Sequence, residues 1–123
     1  MIRAGIDLVR VERLAGLDPA IRARFLRRVF TPAEQAQTDG RDESLAGLFA
    51  AKEAVSKALG CGIGQISWQE IEILRESSGE PRLILHGAAK TLADQKGLLQ
   101  WSVSITHEGG MAAAVALAAG AEA

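Results

Sequence analysis

The first residues alternate between apolar side chains and other side chains, which is the pattern of a β-strand with one buried face. Over residues 2–8, Arg3, Gly5 and Asp7 point to one side, and four apolar residues point to the other: Ile2, Ala4, Ile6 and Leu8. The pattern predicts that the apolar side packs on the core. We therefore expect Asp7 to point away from it.

Two short helices are predicted next, each with a recognisable first turn. Asp18 and Pro19 supply an N-cap and a first helical residue, and apolar residues then recur at every fourth position. Residues 31–34, with the sequence TPAE, have the spacing of a capping box, so a second helix should begin there.

A longer helix is predicted over residues 43–59, with Gly60 as its stop signal and with one apolar stripe: Leu45, Leu48, Phe49, Val55 and Leu59. Lys52 and Ser56 fall within this stripe, and a buried lysine is unfavourable unless it has a partner. Glu53 and Lys57 lie one turn apart at its edge, the spacing of a helix-stabilising ion pair.

The second half of the chain predicts strands around one helix. Strands are expected over residues 66–74, 81–86, 101–106 and 111–117, and a helix over residues 88–96. The whole pattern predicts an α+β fold in a single domain over residues 1–123. We expect a mostly antiparallel sheet packed with the long central helix and shorter helices.

Length and composition are those of a globular chain. The 123 residues can bury one modest core, and 48% hydrophobic and 24% charged residues are ordinary values. Cys61 has no partner for an internal disulfide, no apolar run is long enough to span a bilayer, and the first residues lack a secretory signal. We therefore expect a cytoplasmic protein without a membrane partner.

Positive charge is concentrated near the N-terminus. Residues 1–30 contain seven arginines and three acidic residues, although the formal net charge of the chain is −1. Such a region suits nucleic acid, an anionic membrane or an acidic protein, and it is equally typical of a solvated helix face. The chain has no tyrosine and only two tryptophans, so we expect no nucleic-acid partner.

Several polar residues could carry chemistry. A carboxylate in an apolar strand suits a hard cation such as Mg²⁺, although an ordinary surface aspartate would explain Asp7 as well. A group on the long helix could hold a metal and a phosphorylated ligand: Lys52, Glu53, Ser56 and Lys57. His107 lies where a strand enters a turn and is a base, a phosphate contact or a turn histidine.

Common catalytic motifs are absent from the sequence. It contains no GxGxxG, HExxH or GxSxG, which disfavours dinucleotide-binding enzymes, zinc proteases and serine hydrolases of those types. Residues 61–64, CGIG, lack the P-loop lysine and a cysteine pair. We interpret them as a helix stop and a loop whose backbone, at Gly62, could approach a phosphate.

Three segments, GIDLVRVERL (5–14), LAGLFAAKEAVSKALGCGIG (45–64) and SVSITHEGGMAAAV (102–115), resemble the small bacterial holo-[acyl-carrier-protein] synthases of the 4'-phosphopantetheinyl transferase superfamily. The resemblance implies transfer of 4'-phosphopantetheine from coenzyme A to a serine of apo acyl carrier protein in fatty acid biosynthesis. It also implies Mg²⁺ as cofactor and release of 3',5'-ADP.

The resemblance also implies site residues. Asp7 and Glu53 match the family's magnesium ligands, and Lys57 matches a lysine that contacts the coenzyme A phosphates, with Ser56 and Gly62 beside it. His107 matches a serine-histidine motif, although Thr106 precedes it here. Larger relatives carry these motifs in separate halves, so we expect a homotrimer whose sites lie between subunits, with His107 from a neighbour.

Two aspects of the chemistry stay open in the sequence. The base that takes the serine proton is Glu53, a metal-bound water oriented by Asp7, or His107. Two other classes of protein compete with the transferase: a magnesium-dependent nucleotide pyrophosphate hydrolase and a non-enzymatic trimeric module that binds an acidic protein.

Carrier proteins are acidic around their modified serine, so four arginines are predicted to form the docking surface: Arg13, Arg22, Arg24 and Arg28. The sequence departs from the family at two places. Leu48 stands where relatives commonly carry arginine, and Gly110 and Met111 stand where many have a bulky aromatic residue. Leu48 implies that one contact to an anionic substrate is lost or supplied by another residue, and Gly110 and Met111 leave the shape of the site wall open.

Overall fold

The computed structural model describes residues 1–120 of the chain, and within them it confirms the predicted α+β fold. The elements in chain order are β1 (Ile2–Arg10), α1 (Glu12–Ala15), α2 (Pro19–Val29), α3 (Pro32–Thr38), α4 (Asp42–Leu59), a 3₁₀ turn (Trp68–Glu70), β2 (Ile71–Arg75), β3 (Pro81–Leu85), α5 (Gly87–Gln95), β4 (Leu98–Glu108) and β5 (Met111–Gly120).

The strands form two antiparallel sheets. One has three strands in the order β1-β5-β4, and the other is the hairpin of β2 and β3. In the larger sheet Asp7 lies opposite Ala114, which lies opposite Ile105. Gly109 and Gly110 both have positive φ and form the two-residue turn between β4 and β5, a conformation that favours glycine.

Helix α4 packs across the larger sheet and forms the centre of the core. Its contact on β5 consists of small side chains, all buried: Ala112, Ala114, Ala116 and Ala118. Small residues allow the helix to lie close to the strands. No helix in residues 1–120 is long and apolar enough to cross a membrane.

The predicted orientation of β1 is wrong. Gly5 and Val9 are buried under α4 and Asp7 faces the same way, whereas Ile6 and Leu8 are 67% and 63% exposed on the other side. The reason is that α4 approaches β1 closely at Gly5, and this approach is possible only because Gly5 has no side chain. Alternation therefore indicated the wrong face, because the more apolar side of this strand is the one that α4 leaves uncovered.

Most predicted helix starts and stops are confirmed. Asp18 accepts a hydrogen bond from the amide of Ala20, and Thr31 and Glu34 form both bonds of a capping box. Helix α4 begins one residue before the predicted start and ends at Gly60, whose φ is 76°. The predicted strand over residues 66–74 is shorter, because a 3₁₀ turn capped by Ser67 and Glu70 precedes β2.

Candidate functional site

Strand β1 and helix α4 meet at Gly5, and this contact brings two carboxylates together. A Cβ atom at Gly5 would lie 1.9 Å from the carbonyl oxygen of Ala54, so the observed spacing requires glycine. Asp7 is two residues along β1 and therefore points to the same face. Glu53 precedes Ala54 on α4 and lies near enough for the charge of Asp7 to raise its pKa.

The carboxyl group of Glu53 is partly buried, and its pKa lies above the ordinary value. Burial is the main cause and the negative charge of Asp7 adds to it, whereas the positive charges of Lys57 and Arg13 oppose the shift. The guanidinium of Arg13 lies 5.2 Å from the centroid of the Phe49 ring, a cation–π contact that keeps it near this carboxylate.

The ammonium of Lys57 bonds to strand β1. Its Nζ lies 3.1 Å from Oδ1 of Asp7 and donates a second hydrogen bond, of 2.9 Å, to the carbonyl oxygen of Ile6. The one-turn spacing of Glu53 and Lys57 on α4 predicted an ion pair between these two residues. The structure instead pairs Lys57 with Asp7, and we call Asp7, Glu53 and Lys57 the carboxylate cluster.

The donors of the carboxylate cluster fit magnesium. Mg²⁺ usually binds proteins through one or two carboxylates and takes its other ligands from water and substrate phosphates. Within residues 1–120 there is no group of three or more His, Cys, Asp or Glu side chains placed to hold a metal. Asp7 and Glu53 could therefore hold such an ion only together with water and a phosphorylated substrate.

His107 lies at the other end of α4. Its Nε2 lies 2.9 Å from the carbonyl oxygen of Glu43. Its ring packs on Gly47 so closely that an added Cβ at Gly47 would lie 2.8 Å from Nε2. Ten residues of α4 separate Glu43 from Glu53, which is roughly 15 Å along the helix. A single chain therefore does not bring His107 to the carboxylate cluster.

A cavity of about 270 Å³ lies beside His107, between α3, α4, β4 and the hairpin. Its walls are partly apolar, with Leu48, Ile105 and Pro81, and Arg75 adds a guanidinium. Sequence reasoning did not identify Arg75, because an arginine at the end of a hairpin strand is common. Arg75 supplies a cation to the cavity that Leu48 lines.

Two residues of the predicted group on α4 face inward. Ser56 is 3% exposed, and its hydroxyl donates to the carbonyl oxygen of Glu53, so the predicted contact of Ser56 with coenzyme A is not supported. Lys52 is fully buried and pairs with Glu34 at 2.8 Å, on the side away from the carboxylate cluster. Gly62, in contrast, is exposed in the loop after α4.

The four predicted docking arginines do not behave alike. Arg13, Arg24 and Arg28 are exposed on α1 and α2. Arg22 is already bonded to other residues of the chain, because its guanidinium donates to Asp42 at 2.5 Å and to the carbonyl oxygen of Gly40 at 3.1 Å. This ion pair ties α2 to the start of α4.

Comparisons of sequence agree on one family. Residues 3–117 match the model of the 4'-phosphopantetheinyl transferase superfamily. A holo-[acyl-carrier-protein] synthase of Moorella thermoacetica is 51% identical over 95% of this chain and 93% of that protein. The synthase of Solidesulfovibrio magneticus is 44% identical over 98% of this chain and its own full length.

Solved structures agree with the sequence comparisons. Helicobacter pylori holo-[acyl-carrier-protein] synthase in complex with coenzyme A has a TM-score of 0.85 and 34% identity, over 97% of this chain and 100% of that one. The enzyme of Neisseria meningitidis has a TM-score of 0.86 and 31% identity, over 97% of this chain and 99% of that one. The likeness therefore covers the whole fold.

Proposed function

The chain belongs to the 4'-phosphopantetheinyl transferase superfamily, and we propose that it transfers 4'-phosphopantetheine from coenzyme A to a serine of apo acyl carrier protein. The observation that carries the proposal is the carboxylate cluster on a chain that is similar throughout to holo-[acyl-carrier-protein] synthases. The carrier serves fatty acid biosynthesis. The products are holo acyl carrier protein and 3',5'-ADP.

The reaction exchanges one phosphorus–oxygen bond for another. The serine hydroxyl oxygen attacks the phosphorus nearest to pantetheine, and the bond from that phosphorus to the bridging oxygen breaks. Asp7 and Glu53 are the residues that would hold Mg²⁺, which when bound neutralises charge on the pyrophosphate. The protein has mainly to position the two substrates and to stabilise charge.

Each residue of the cluster has a task in this proposal. Lys57 is half-exposed at the surface of α4 and offers a positive charge to the phosphates of coenzyme A. Glu53 is one of three candidate acceptors of the serine proton, beside His107 and a water oriented by Asp7, and its carboxyl group lies close to that of Asp7. Gly62, exposed after the helix, leaves room for a phosphate to approach the backbone.

The proposed site lies between subunits of a homotrimer. In one chain His107 is far along α4 from Glu53, so both can act at the same phosphate of coenzyme A only if His107 comes from a neighbour. The sheet face opposite α4 supports such an assembly, because it is open and largely apolar: Ile6, Leu8, Ala113, Val115 and Leu117. Burying this face between copies would stabilise the trimer.

The carrier protein docks on the exposed arginines in this proposal. Arg13 lies beside the carboxylate cluster, and Arg24 and Arg28 extend the positive surface along α2. An acidic helix of the carrier can contact them while its serine reaches Glu53. Arg22 supports the surface indirectly through its ion pair with Asp42.

The proposed setting is the cytoplasm, with neither membrane nor nucleic acid as a partner. The single cysteine, Cys61, is suited to a reducing compartment. Its pKa is raised by burial, which disfavours a reactive thiolate.

Intact-mass spectrometry of apo acyl carrier protein tests the function. Incubation with this protein, coenzyme A and Mg²⁺ should add the mass of phosphopantetheine. The gain should disappear with EDTA and fall strongly with Glu53→Gln. Breakdown of coenzyme A without a modified carrier would indicate the hydrolase, and binding of the carrier without any product would indicate the non-enzymatic module.

A further inference from the structure

Lys57 bonds the carboxylate that the proposed metal needs. Its Nζ contacts Oδ1 of Asp7 at 3.1 Å and the carbonyl oxygen of Ile6 at 2.9 Å. Both acceptors belong to β1, so the two bonds hold the ammonium against the strand. A metal ion that binds Asp7 therefore competes with a cation supplied by the protein itself.

The two partners differ in their freedom to move. The Asp7 side chain is 19% exposed and stands on a strand paired along its length with β5. The Lys57 side chain is 52% exposed and has a flexible four-carbon stem at the surface of α4. Lys57 is therefore the partner that can leave, and only hydrogen bonds to β1 oppose its departure.

A phosphate offers Lys57 a better acceptor than Asp7. Phosphate oxygens make strong, charge-assisted hydrogen bonds with an ammonium group. Once the ammonium has moved, Oδ1 of Asp7 is free to bind a divalent ion, and two cations no longer repel each other at one carboxylate. Lys57 does not have to leave Glu53 before a metal binds, because within residues 1–120 the ion pair of Lys57 is formed with Asp7.

We propose that Lys57 couples metal binding to coenzyme A binding by exchanging Asp7 for a phosphate of coenzyme A. Lys57 weakens the binding of Mg²⁺ alone and strengthens it when coenzyme A is present, so each ligand raises the affinity for the other. This inference rests on the proposed function, from which it takes the metal and the phosphorylated ligand. It gives Lys57 a role before any chemistry occurs.

Calorimetric titration of Mg²⁺ into the full chain, with and without coenzyme A and without carrier protein, tests the exchange. For Lys57→Met without coenzyme A, we expect Mg²⁺ to bind about two- to fivefold more tightly than to the wild type, the effect of losing one partly exposed ion pair. Coenzyme A should then raise the affinity of the variant for Mg²⁺ by a smaller factor than in the wild type.

Three further variants separate the explanations. Arg13→Gln removes a positive charge near Glu53 that makes no ion pair with Asp7 in the described structure, and it should tighten Mg²⁺ binding less than Lys57→Met. Lys90→Met breaks an exposed pair with Asp94 on α5 and should change nothing. Asp7→Asn should lose Mg²⁺ binding.

The exchange would be overturned if Lys57→Met bound Mg²⁺ no more tightly than the wild type does. It would also be overturned if Lys57→Met bound Mg²⁺ no more tightly than Arg13→Gln does. If Asp7→Asn binds Mg²⁺ as the wild type does, the proposed metal site itself is wrong. The two failures are therefore distinguishable.

Amine acetylation followed by mass spectrometry gives a second, independent reading in the wild-type protein. Mg²⁺ alone should make Lys57 more readily acetylated relative to Lys90, because it displaces the ammonium from Asp7. Coenzyme A should then protect Lys57. Equal labelling of Lys57 without ligand, with Mg²⁺ alone, and with Mg²⁺ and coenzyme A would count against the exchange.

Discussion

Glu34 and Lys52 form an ion pair in which neither side chain is exposed. Lys52 also donates to the carbonyl oxygens of Trp68 and Ile71, and Glu34 accepts from the amides of Thr31 and Ile73. Burial lowers the pKa of Lys52, and the negative charge of Glu34 opposes this shift. The pair joins α3 and α4 to the start of the hairpin, and its bonds satisfy its buried polar atoms.

Glu34→Gln should lower the free energy of unfolding by about 3–5 kcal/mol, because it leaves the buried charge of Lys52 without its counter-charge. Asp94→Asn, which breaks the exposed pair with Lys90, is the matched control and should cost at most about 1 kcal/mol. Urea unfolding of both variants measures the difference. Similar losses for the two would show that the buried pair contributes no more than a surface pair.

Glu53 should make the stability of the protein depend on pH. Its folded-state pKa is raised, so ionisation is less favourable in the folded protein than in the unfolded chain. Stability is therefore lost as the pH rises from the ordinary glutamate pKa through the raised one. Glu53→Gln should have a higher melting temperature than the wild type at neutral pH, and the difference between the two proteins should shrink below about pH 4. A difference that does not change with pH would contradict this cause.

At the scale of elements, the packing of β1 on α4 forms the carboxylate cluster. Neither element contains the cluster alone, because Asp7 comes from the strand and both Glu53 and Lys57 come from the helix. Gly5 sets the distance between them. A residue with no side chain, two positions from Asp7, thus controls the geometry of the site.

Gly5→Ala should damage stability and activity together. The added Cβ would meet the carbonyl oxygen of Ala54, so β1 must move away from α4 and carry Asp7 with it. We expect a loss of about 1–3 kcal/mol or more in unfolding free energy and a strongly reduced kcat. Gly62→Ala, where a Cβ meets nothing within 4 Å, serves as the control for stability only.

The exposed face of α2 should control recognition of the carrier. Arg24→Glu with Arg28→Glu should raise the KM for acyl carrier protein roughly tenfold or more and leave the KM for coenzyme A unchanged. Salt should affect the carrier KM of the variant less than that of the wild type. Arg82→Glu, an exposed arginine on β3, is the control. An unchanged carrier KM would rule out this docking surface.

At the scale of the whole molecule, both faces of the larger sheet carry apolar residues, and α4 covers one of them. The other face remains open in a single chain, with Ile6 and Leu8 among its most exposed members. A small domain rarely leaves such a face in water, so the open face supports the proposed contact between copies. The separation of His107 from Glu53 within one chain supports the same proposal.

Mixing two inactive variants should restore activity if the sites lie between subunits. Asp7→Asn and His107→Ala each disable every site in a trimer of one kind. In trimers assembled at random from equal amounts of the two variants, about a quarter of all interfaces combine an intact Asp7 with an intact His107 from the neighbour. Activity of the co-expressed mixture measures this. Activity no greater than that of the separate variants would place the whole site in one chain.

The sequence by itself determined the elements and the chemical types of the site. N-caps, the proline after Asp18 and the glycine at residue 60 act over a few neighbouring residues, so local pattern was sufficient to place most helices and strands. The same reading selected Asp7, Glu53 and Lys57, because charged side chains are conspicuous beside apolar ones. It also detected that buried Lys52 needs a partner.

Tertiary structure decided which residues meet. Lys52 pairs with Glu34 from another helix, Lys57 pairs with Asp7 from β1, and Ser56 turns inward. These contacts join residues far apart in the chain, and no local periodicity specifies them. The buried face of β1 was decided in the same way, because alternation favoured the face of Ile6 and Leu8, whereas the close approach of α4 at Gly5 selects the opposite face.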